Sequence, residues 1–148
     1  LHLAAMAGKL KMVQSLLGCG ASIHKRTSLG DTALHEACFE GHTEVVKHLR
    51  EQGADPNIGN DHEVTSLMLA SYADNASVIK YVVDSKVELN RLDKDGRNVL
   101  FYAVAEGRLD TLAYLIDCGA EVKPDHNGVS LLMEAVYQGK DEVVQYLL

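Results

Sequence analysis

Histidine and glutamate side chains within residues 35–42 first suggest a zinc hydrolase, because His35 and Glu36 are followed by His42. A zinc-protease helix carries His-Glu-x-x-His, so that both histidines reach the metal from one face while the glutamate acts as a base. Here the second histidine comes beyond Gly41, a residue at which a helix is expected to end. The spacing excludes the motif and favours a structural role for His35.

Acidic residues at Asp93 and Asp95 give the segment Asp93-Lys94-Asp95-Gly96 the composition of a calcium loop. An EF-hand loop requires glycine at its sixth position and a bidentate glutamate at its twelfth. Gly96 stands fourth in this segment. We therefore interpret it as a solvated turn and predict no metal site here.

Cysteine chemistry is the remaining catalytic candidate. Cys19, Cys38 and Cys118 show no paired spacing, which is typical of a reducing compartment rather than of a disulfide framework. Cys38 falls at an inward helical position that other parts of the chain fill with small residues, which indicates a core residue. With no phosphate-binding glycine loop and no nucleophile–base pair, the sequence predicts a protein that is not an enzyme and has no cofactor.

Composition narrows the class of partner. The chain has 148 residues, 47% of them apolar and 24% charged, with a net charge of −7. This acidic balance argues against nucleic acid and anionic membranes as partners. No apolar run approaches the roughly 20 residues of a membrane span, and the start is not a signal peptide. We expect no membrane insertion and an intracellular location, cytoplasmic or nuclear.

The elements that must position any site come from an internal repeat. The phrase Gly30-Asp31-Thr32-Ala33-Leu34-His35-Glu36-Ala37 recurs in altered form along the chain, with its central leucine at 1, 34, 67, 100 and 132. A second series with the same step runs through Val13, Val46, Ile79, Leu112 and Val144. Two independent series with one period establish a repeat architecture.

The pattern of each unit predicts two short helices and a turn. Thr32 or Ser130 precedes an apolar helical run, where its hydroxyl can cap the first helix. That helix ends at a glycine such as Gly41, and a second helix then runs to Gly53. Because no unit can bury its own apolar face, the units must stack, which predicts an all-α solenoid joined by hairpin-like turns.

This phrase at this step resembles the ankyrin repeat over essentially the whole chain. The resemblance is carried by Thr32-Ala33-Leu34-His35-x-Ala37, by Gly41-His42-x-Glu44-Val45-Val46-x-x-Leu49 and by Gly53-Ala54-Asp55-Pro56-Asn57. It implies stacked helix-turn-helix repeats in which His35 hydrogen-bonds the adjoining turn. The third unit departs most, with Glu63, Asp74 and Lys86 at glycine positions. A positive φ at Lys86 would cost roughly 1–2 kcal/mol, so Lys86→Gly is expected to raise stability.

The units divide approximately as 1–29, 30–62, 63–95, 96–127 and 128–148, which make one domain. The chain opens in the middle of the repeated phrase and closes inside a second helix, and stacked arrays need polar capping units. We therefore expect residues 1–148 to be a piece of a longer, monomeric array.

The resemblance places binding on the concave face, at the outward positions of the first helices. Four of the eight aromatic residues fall there beside acidic ones, as a peptide anchor site requires. The candidate groove residues are Glu36, Phe39, Glu40, Leu69, Tyr72, Tyr102, Glu106, Glu134 and Tyr137. The candidate contacts at the turn tips are Lys25, Arg26, Asp61, Asp93 and Asp95.

The predicted function is a protein–protein interaction module, a scaffold or adaptor that binds a protein or peptide with basic residues and performs no catalysis. A looser likeness to feminization-type receptors of cullin–RING ubiquitin ligases implies, as an alternative, a substrate-recognition array; it rests on Val13–Leu17, Ala37–His42 and Ser66–Tyr72. A third hypothesis is that the chain is the regulatory or scaffolding array of a larger enzyme or channel.

Overall fold

The chain folds into pairs of short helices, as described for residues 1–85 and 87–148 of a computed structural model. The helices in these ranges are α1 (His2–Met6), α2 (Leu10–Gly18), α3 (Ala33–Phe39), α4 (Thr43–Glu51), α5 (Ser66–Tyr72), α6 (Ala76–Asp84), α7 (Val99–Ala105), α8 (Leu109–Asp117), α9 (Leu131–Tyr137) and α10 (Asp141–Leu147). The conformation predicted for Lys86 lies outside the described residues. None of the helices described has the length and apolar character needed to cross a membrane.

The helix pairs stack in register into two layers. The odd-numbered helices α1, α3, α5, α7 and α9 pack side by side in one layer, which we call the first-helix layer. The even-numbered helices form the second-helix layer behind it, and each packs against its own first helix. The predicted all-α solenoid of helix-turn-helix repeats is confirmed.

Two apolar series fill the space between the layers. Leu34, Leu67 and Leu100 of the first helices are almost completely buried, and so are Val46, Ile79 and Leu112 of the second helices. These side chains belong to one continuous apolar core that runs the length of the array. Burial of a leucine or isoleucine side chain contributes about 1.5–3 kcal/mol, so the periodic residues account for much of the stability.

Polar side chains begin the first helices as the sequence predicts. The hydroxyl of Ser130 accepts the backbone N–H of Met133 at 3.2 Å, and Thr65 accepts that of Met68 at 3.4 Å. The first helix of the second unit ends before Gly41, whose φ is 78°. A Cβ at Gly41 would lie 2.5 Å from the amide oxygen of Asn75 in the next unit, so glycine is required for both reasons.

Hairpin-like turns link successive units and bond to each other. Within the turns, the N–H groups of Asn60 and Asp93 donate to the carbonyl oxygens of Val64 and Arg97. Between the turns, the N–H of Lys94 donates to the carbonyl of His62 at 3.1 Å. The turns therefore form a hydrogen-bonded row along one edge of the array.

The third unit is irregular, as its missing glycines predict. Glu63 and Asp74 both have a φ of 60°, in the left-handed region that favours glycine. The Asp74 carboxylate accepts the hydroxyl of Thr111 on α8 at 2.7 Å. Next to this bond, α6 and α8 pack less closely than the other neighbouring second helices and leave a cleft of about 330 Å³.

Candidate functional site

The outward sides of the first helices and the turns beside them form one continuous surface, which we call the groove face. Phe39 at the end of α3 and Tyr72 at the end of α5 each keep 40% of their surface exposed. Glu40 and Asp95 are exposed, while Glu36, Leu69 and Glu106 are half-buried. Apolar surface and carboxylates are therefore interspersed on this face.

Helical spacing explains why the aromatic residues line up. Met6, Phe39 and Tyr72 occupy the same position in successive first helices, two residues before the residue with positive φ that follows each helix. Stacking in register brings this position of neighbouring units together, since α3 packs against both α1 and α5. The result is a row of partly exposed large side chains along the groove face.

A pocket of about 200 Å³ lies between α5 and α7 where this row meets the turns. The residues that line it are Tyr72, Asp93, Asp95, Arg97, Phe101, Tyr102 and Ala105. Interaction with the Glu106 carboxylate raises the pKa of Tyr72. Four of the residues predicted from the sequence to contact a partner line this pocket: Tyr72, Asp93, Asp95 and Tyr102.

Asp93 does not lie at an exposed tip, and in this respect the sequence-based placement is wrong. Asp93 is only 7% exposed. One oxygen of its carboxylate accepts the N–H groups of Asp95 and Arg97, each at 2.9 Å. The other oxygen accepts the hydroxyl of Tyr102 at 2.8 Å. Burial and this bond raise the pKa of Tyr102. Asp93 thus holds the turn and fixes Tyr102.

Glu134 was also expected to face outward, but it is only 6% exposed. Its carboxylate lies 3.9 Å from the Arg97 guanidinium and accepts the side-chain amide of Gln138 at 2.9 Å. Tyr137, in contrast, is 85% exposed on α9. The fifth unit therefore exposes Tyr137, whereas Glu134 is buried against Arg97 of the preceding unit.

The first turn tip is basic, but its two cations differ in role. Lys25 is exposed. Arg26 donates to the carbonyl oxygens of Gly30 and Gly59 at 2.9 and 2.7 Å, and its guanidinium lies 3.6 Å from the Asp61 carboxylate. Arg26 and Asp61 therefore join two consecutive turns while both remain partly accessible.

The side chains considered for catalysis are buried or hydrogen-bonded within the fold. His35 Nδ1 accepts the Thr32 N–H, so Nε2 carries the proton that it donates to the Val64 carbonyl at 3.0 Å. Burial lowers the pKa of His35 and raises that of Cys38 to about 12. The expected bond from His35 to the adjoining turn is confirmed. Asn75, which begins a formal glycosylation triplet, uses its amide to bond the carbonyl oxygens of Cys38 and Phe39.

One periodic signal in the sequence was missed. Thr27, Asn60, Asp93 and Asp125 form a column at the repeat spacing, three residues before the turn residue with positive φ. Each accepts two backbone N–H groups of its own turn. The hydrogen bond from the Val129 N–H is the largest of the effects that lower the pKa of Asp125. A column of short oxygen-bearing side chains could have identified these residues as turn caps.

Stacked helix pairs, a row of bonded turns and an exposed first-helix face define the class of solenoid proteins that bind partners over an extended surface. The chain belongs to the ankyrin-repeat family: the family description "Ankyrin repeats (3 copies)" matches residues 1–93 and again 67–148. Proteins of this family generally mediate protein–protein interactions, and the fold is typically non-catalytic.

Curated relatives show how varied the proteins that contain such arrays are. The chain is 34% identical over 136 residues to a protein fem-1 homolog A-like of Mus musculus, covering 91% of the chain and 21% of that protein. It is 32% identical over 152 residues to the transient receptor potential cation channel subfamily A member 1 of Homo sapiens, covering all of the chain and 14% of the channel. It is 27% identical over 154 residues to the palmitoyltransferase AKR1 of Lachancea kluyveri, covering all of the chain and 21% of the enzyme. The chain thus spans about a fifth or less of each of these proteins.

Proposed function

We propose that residues 1–148 bind a protein or peptide with basic residues on the groove face, without catalysis, as a scaffold or adaptor segment. The observation that carries this proposal is the row of exposed aromatic side chains, Phe39 and Tyr72, beside the carboxylates of Glu40, Asp95 and Glu106. Aromatic rings bury much area at little cost in side-chain entropy, and a carboxylate rim attracts cations.

Electrostatics favour a basic partner. Partial burial is the main cause that raises the pKa of Glu36, and repulsion from the nearby carboxylates of Asp31 and Glu40 adds to it. An incoming lysine or arginine would relieve this repulsion. Steering by exposed charges is screened by salt, so the binding rate should fall as ionic strength rises.

A display library of random peptides tests the proposal directly. We expect the 148-residue array to select peptides enriched in Arg or Lys together with an apolar residue. The double variant Phe39→Ala/Tyr72→Ala should bind them at least about tenfold more weakly, because both anchors are lost. Tyr146→Ala is the matched control, since Tyr146 is 46% exposed but lies on α10 in the second-helix layer. Selection of acidic peptides, or equal binding by the double variant, would contradict the proposal.

Charge reversal gives a second measure of the same surface. The double variant Glu36→Lys/Glu40→Lys should weaken the binding of a basic peptide and flatten the salt dependence of its association rate. Unchanged affinity and unchanged salt dependence would count against an acidic groove.

A second candidate function is the substrate-recognition array of a ubiquitin-ligase adaptor, supported by the similarity to the fem-1 homolog. Better binding of a peptide with a free C-terminal arginine than of its amidated form would favour it.

The similarity to a cation channel and to a palmitoyltransferase supports a third candidate function, a regulatory or scaffolding array of a larger enzyme or channel. A monomeric array in the cytoplasm or nucleus is part of the leading proposal, and the unpaired state of Cys19, Cys38 and Cys118 supports the intracellular location.

A further inference from the structure

We propose that the pocket between α5 and α7 binds the guanidinium group of an arginine side chain on the partner, a step that rests on the groove face being the binding surface. The pocket is lined by two tyrosine rings, those of Tyr72 and Tyr102, and by an acidic turn. Four features of the described residues argue for a planar cation there.

The first feature is the charge that remains after internal pairing. Arg97 is the only cation among the residues that line the pocket, and its guanidinium lies 3.4 Å from Asp125 and 3.9 Å from Glu134. Two carboxylates therefore offset one cation. Asp95 adds an exposed carboxylate with no ion-pair partner among the described residues. The pocket consequently keeps an excess of negative charge with one carboxylate available to a ligand.

The second feature is the pair of tyrosine rings. The Tyr102 hydroxyl donates to Asp93 at 2.8 Å, which fixes this ring, and Tyr72 keeps 40% of its surface exposed. Both rings line the pocket as surfaces against which a cation can stack. A guanidinium is planar, weakly hydrated and able to pair with a carboxylate through two N–H groups, whereas an ammonium is compact and strongly hydrated. These properties favour arginine over lysine.

The third feature is an arginine of the chain itself, Arg97, which lines one side of the pocket together with Phe101 and reaches the following unit. The Arg97 guanidinium lies 5.7 Å from the centroid of the Phe101 ring while it contacts Asp125 and Glu134 of the following unit. In the third unit the residue equivalent to Arg97 is Val64. The third unit therefore supplies no arginine of its own to the Tyr72 side of the pocket, although Arg97 lines the opposite side.

The fourth feature is the space that Ala105 leaves. Its equivalents in the other units are Met6, Phe39, Tyr72 and Tyr137, all of them large. Ala105 lines the pocket directly beside Tyr72. A large side chain at this position would occupy the volume that a ligand needs.

Titration of the array with N-acetyl-arginine methylamide, followed by NMR chemical shifts, tests the pocket without any knowledge of the natural partner. We expect shifts confined to the pocket, including Asp95, Tyr102 and Ala105, at millimolar ligand. N-acetyl-lysine methylamide should bind more weakly, and N-acetyl-citrulline methylamide, which has nearly the same shape but no charge, should produce no such shifts.

Two variants test the pocket with residues that other units already carry, one by filling its space and one by removing its free carboxylate. Ala105→Phe introduces the side chain of Phe39, and Asp95→Asn introduces that of Asn127. Both should abolish the arginine-specific shifts with unchanged unfolding by urea. Asp117→Asn removes the same charge from the end of α8 and should leave the shifts intact. Equal shifts with arginine and citrulline, or shifts that persist in Ala105→Phe, would overturn the proposal.

The peptides selected by the display library separate this proposal from the broader one. If the pocket binds arginine, replacing the critical arginine of a selected peptide by lysine should weaken binding to the wild-type array about tenfold and have little effect on binding to Ala105→Phe. If selected peptides bind the groove face but arginine titration gives no pocket shifts, the pocket proposal fails and the proposed function stands. If arginine binds in the pocket but no peptide is selected, the proposed function fails instead.

Discussion

The second and third units share one fold but differ in how much of the ankyrin pattern they keep. In the second unit His35 donates to the Val64 carbonyl of the next turn, and Gly30 and Gly41 take the positive φ angles. In the third unit Met68 replaces the histidine and offers only its thioether sulfur to the Thr65 N–H at 3.3 Å. Glu63 and Asp74 take the positive φ angles there.

This difference affects the packing of the second-helix layer but not that of the first-helix layer, although Met68 itself lies on α5. On the first-helix side, α5 packs against α3 and against α7 equally closely. On the other side, α6 and α8 are separated by the cleft that contains the bond between Asp74 and Thr111. The comparison indicates that one layer maintains the stack while the other tolerates irregular sequence.

Leucine truncation in the first-helix layer should have the largest effect and should be the same in both units. Leu34→Ala and Leu67→Ala each remove a side chain that is at most 2% exposed, and each should lower the free energy of unfolding by about 2–5 kcal/mol. Equilibrium unfolding in urea measures both values. Leu29→Ala, which changes an exposed leucine in a turn, should have little effect.

A much smaller loss for Leu67→Ala than for Leu34→Ala would show that the irregularity of the third unit extends into the first-helix layer. The claim that the two layers differ would then be wrong.

Restoring the regular residues at the loose junction should raise stability by a smaller amount. Asp74→Gly relieves a positive φ worth roughly 1–2 kcal/mol but leaves the buried Thr111 hydroxyl without its acceptor. The double variant Asp74→Gly/Thr111→Val removes both problems and introduces the residues found at the equivalent positions one unit earlier, Gly41 and Val78. We expect the double variant to gain about 1–2 kcal/mol and Asp74→Gly alone to gain less.

Urea unfolding of the two single variants and the double variant forms a mutant cycle that measures the coupling. If Asp74→Gly alone gave the full increase, the hydroxyl bond would contribute nothing and the cleft would need another explanation.

The fold was accessible from the sequence because its signals are periodic. Leu34, Leu67 and Leu100 recur at one step, and the glycines after the first helices recur with them. Because the units stack in register, equivalent positions in successive units have equivalent places in the core. A prediction made for one unit therefore applies to the next. The positive φ angles at Glu63 and Asp74 follow from the same alignment.

The site was only partly accessible, since a residue's direction in a turn is not set by the repeat period. Asp93 and Asp95 are two residues apart and both acidic, yet Asp93 turns inward to accept N–H groups while Asp95 faces solvent. Glu134 and Tyr137 share a helix face, but Arg97 of the preceding unit draws Glu134 into an ion pair. Such pairings depend on contacts between units that no single-unit pattern encodes.

The histidine bond that the second unit keeps and the third unit lacks should make a small, pH-dependent contribution to stability. Burial lowers the pKa of His35 below its ordinary value of 6.5, so the unfolded state binds more protons between the two pKa values. The free energy of unfolding should therefore fall as the pH drops from about 7.5 to about 5.5, through the unfolded value. His35→Met, which copies Met68, should be less stable at the higher pH and should lose part of this pH dependence, whereas His24→Gln at an exposed position should retain it. An unchanged pH profile in His35→Met would mean that the difference between the two units lies in their backbone angles and not in this bond.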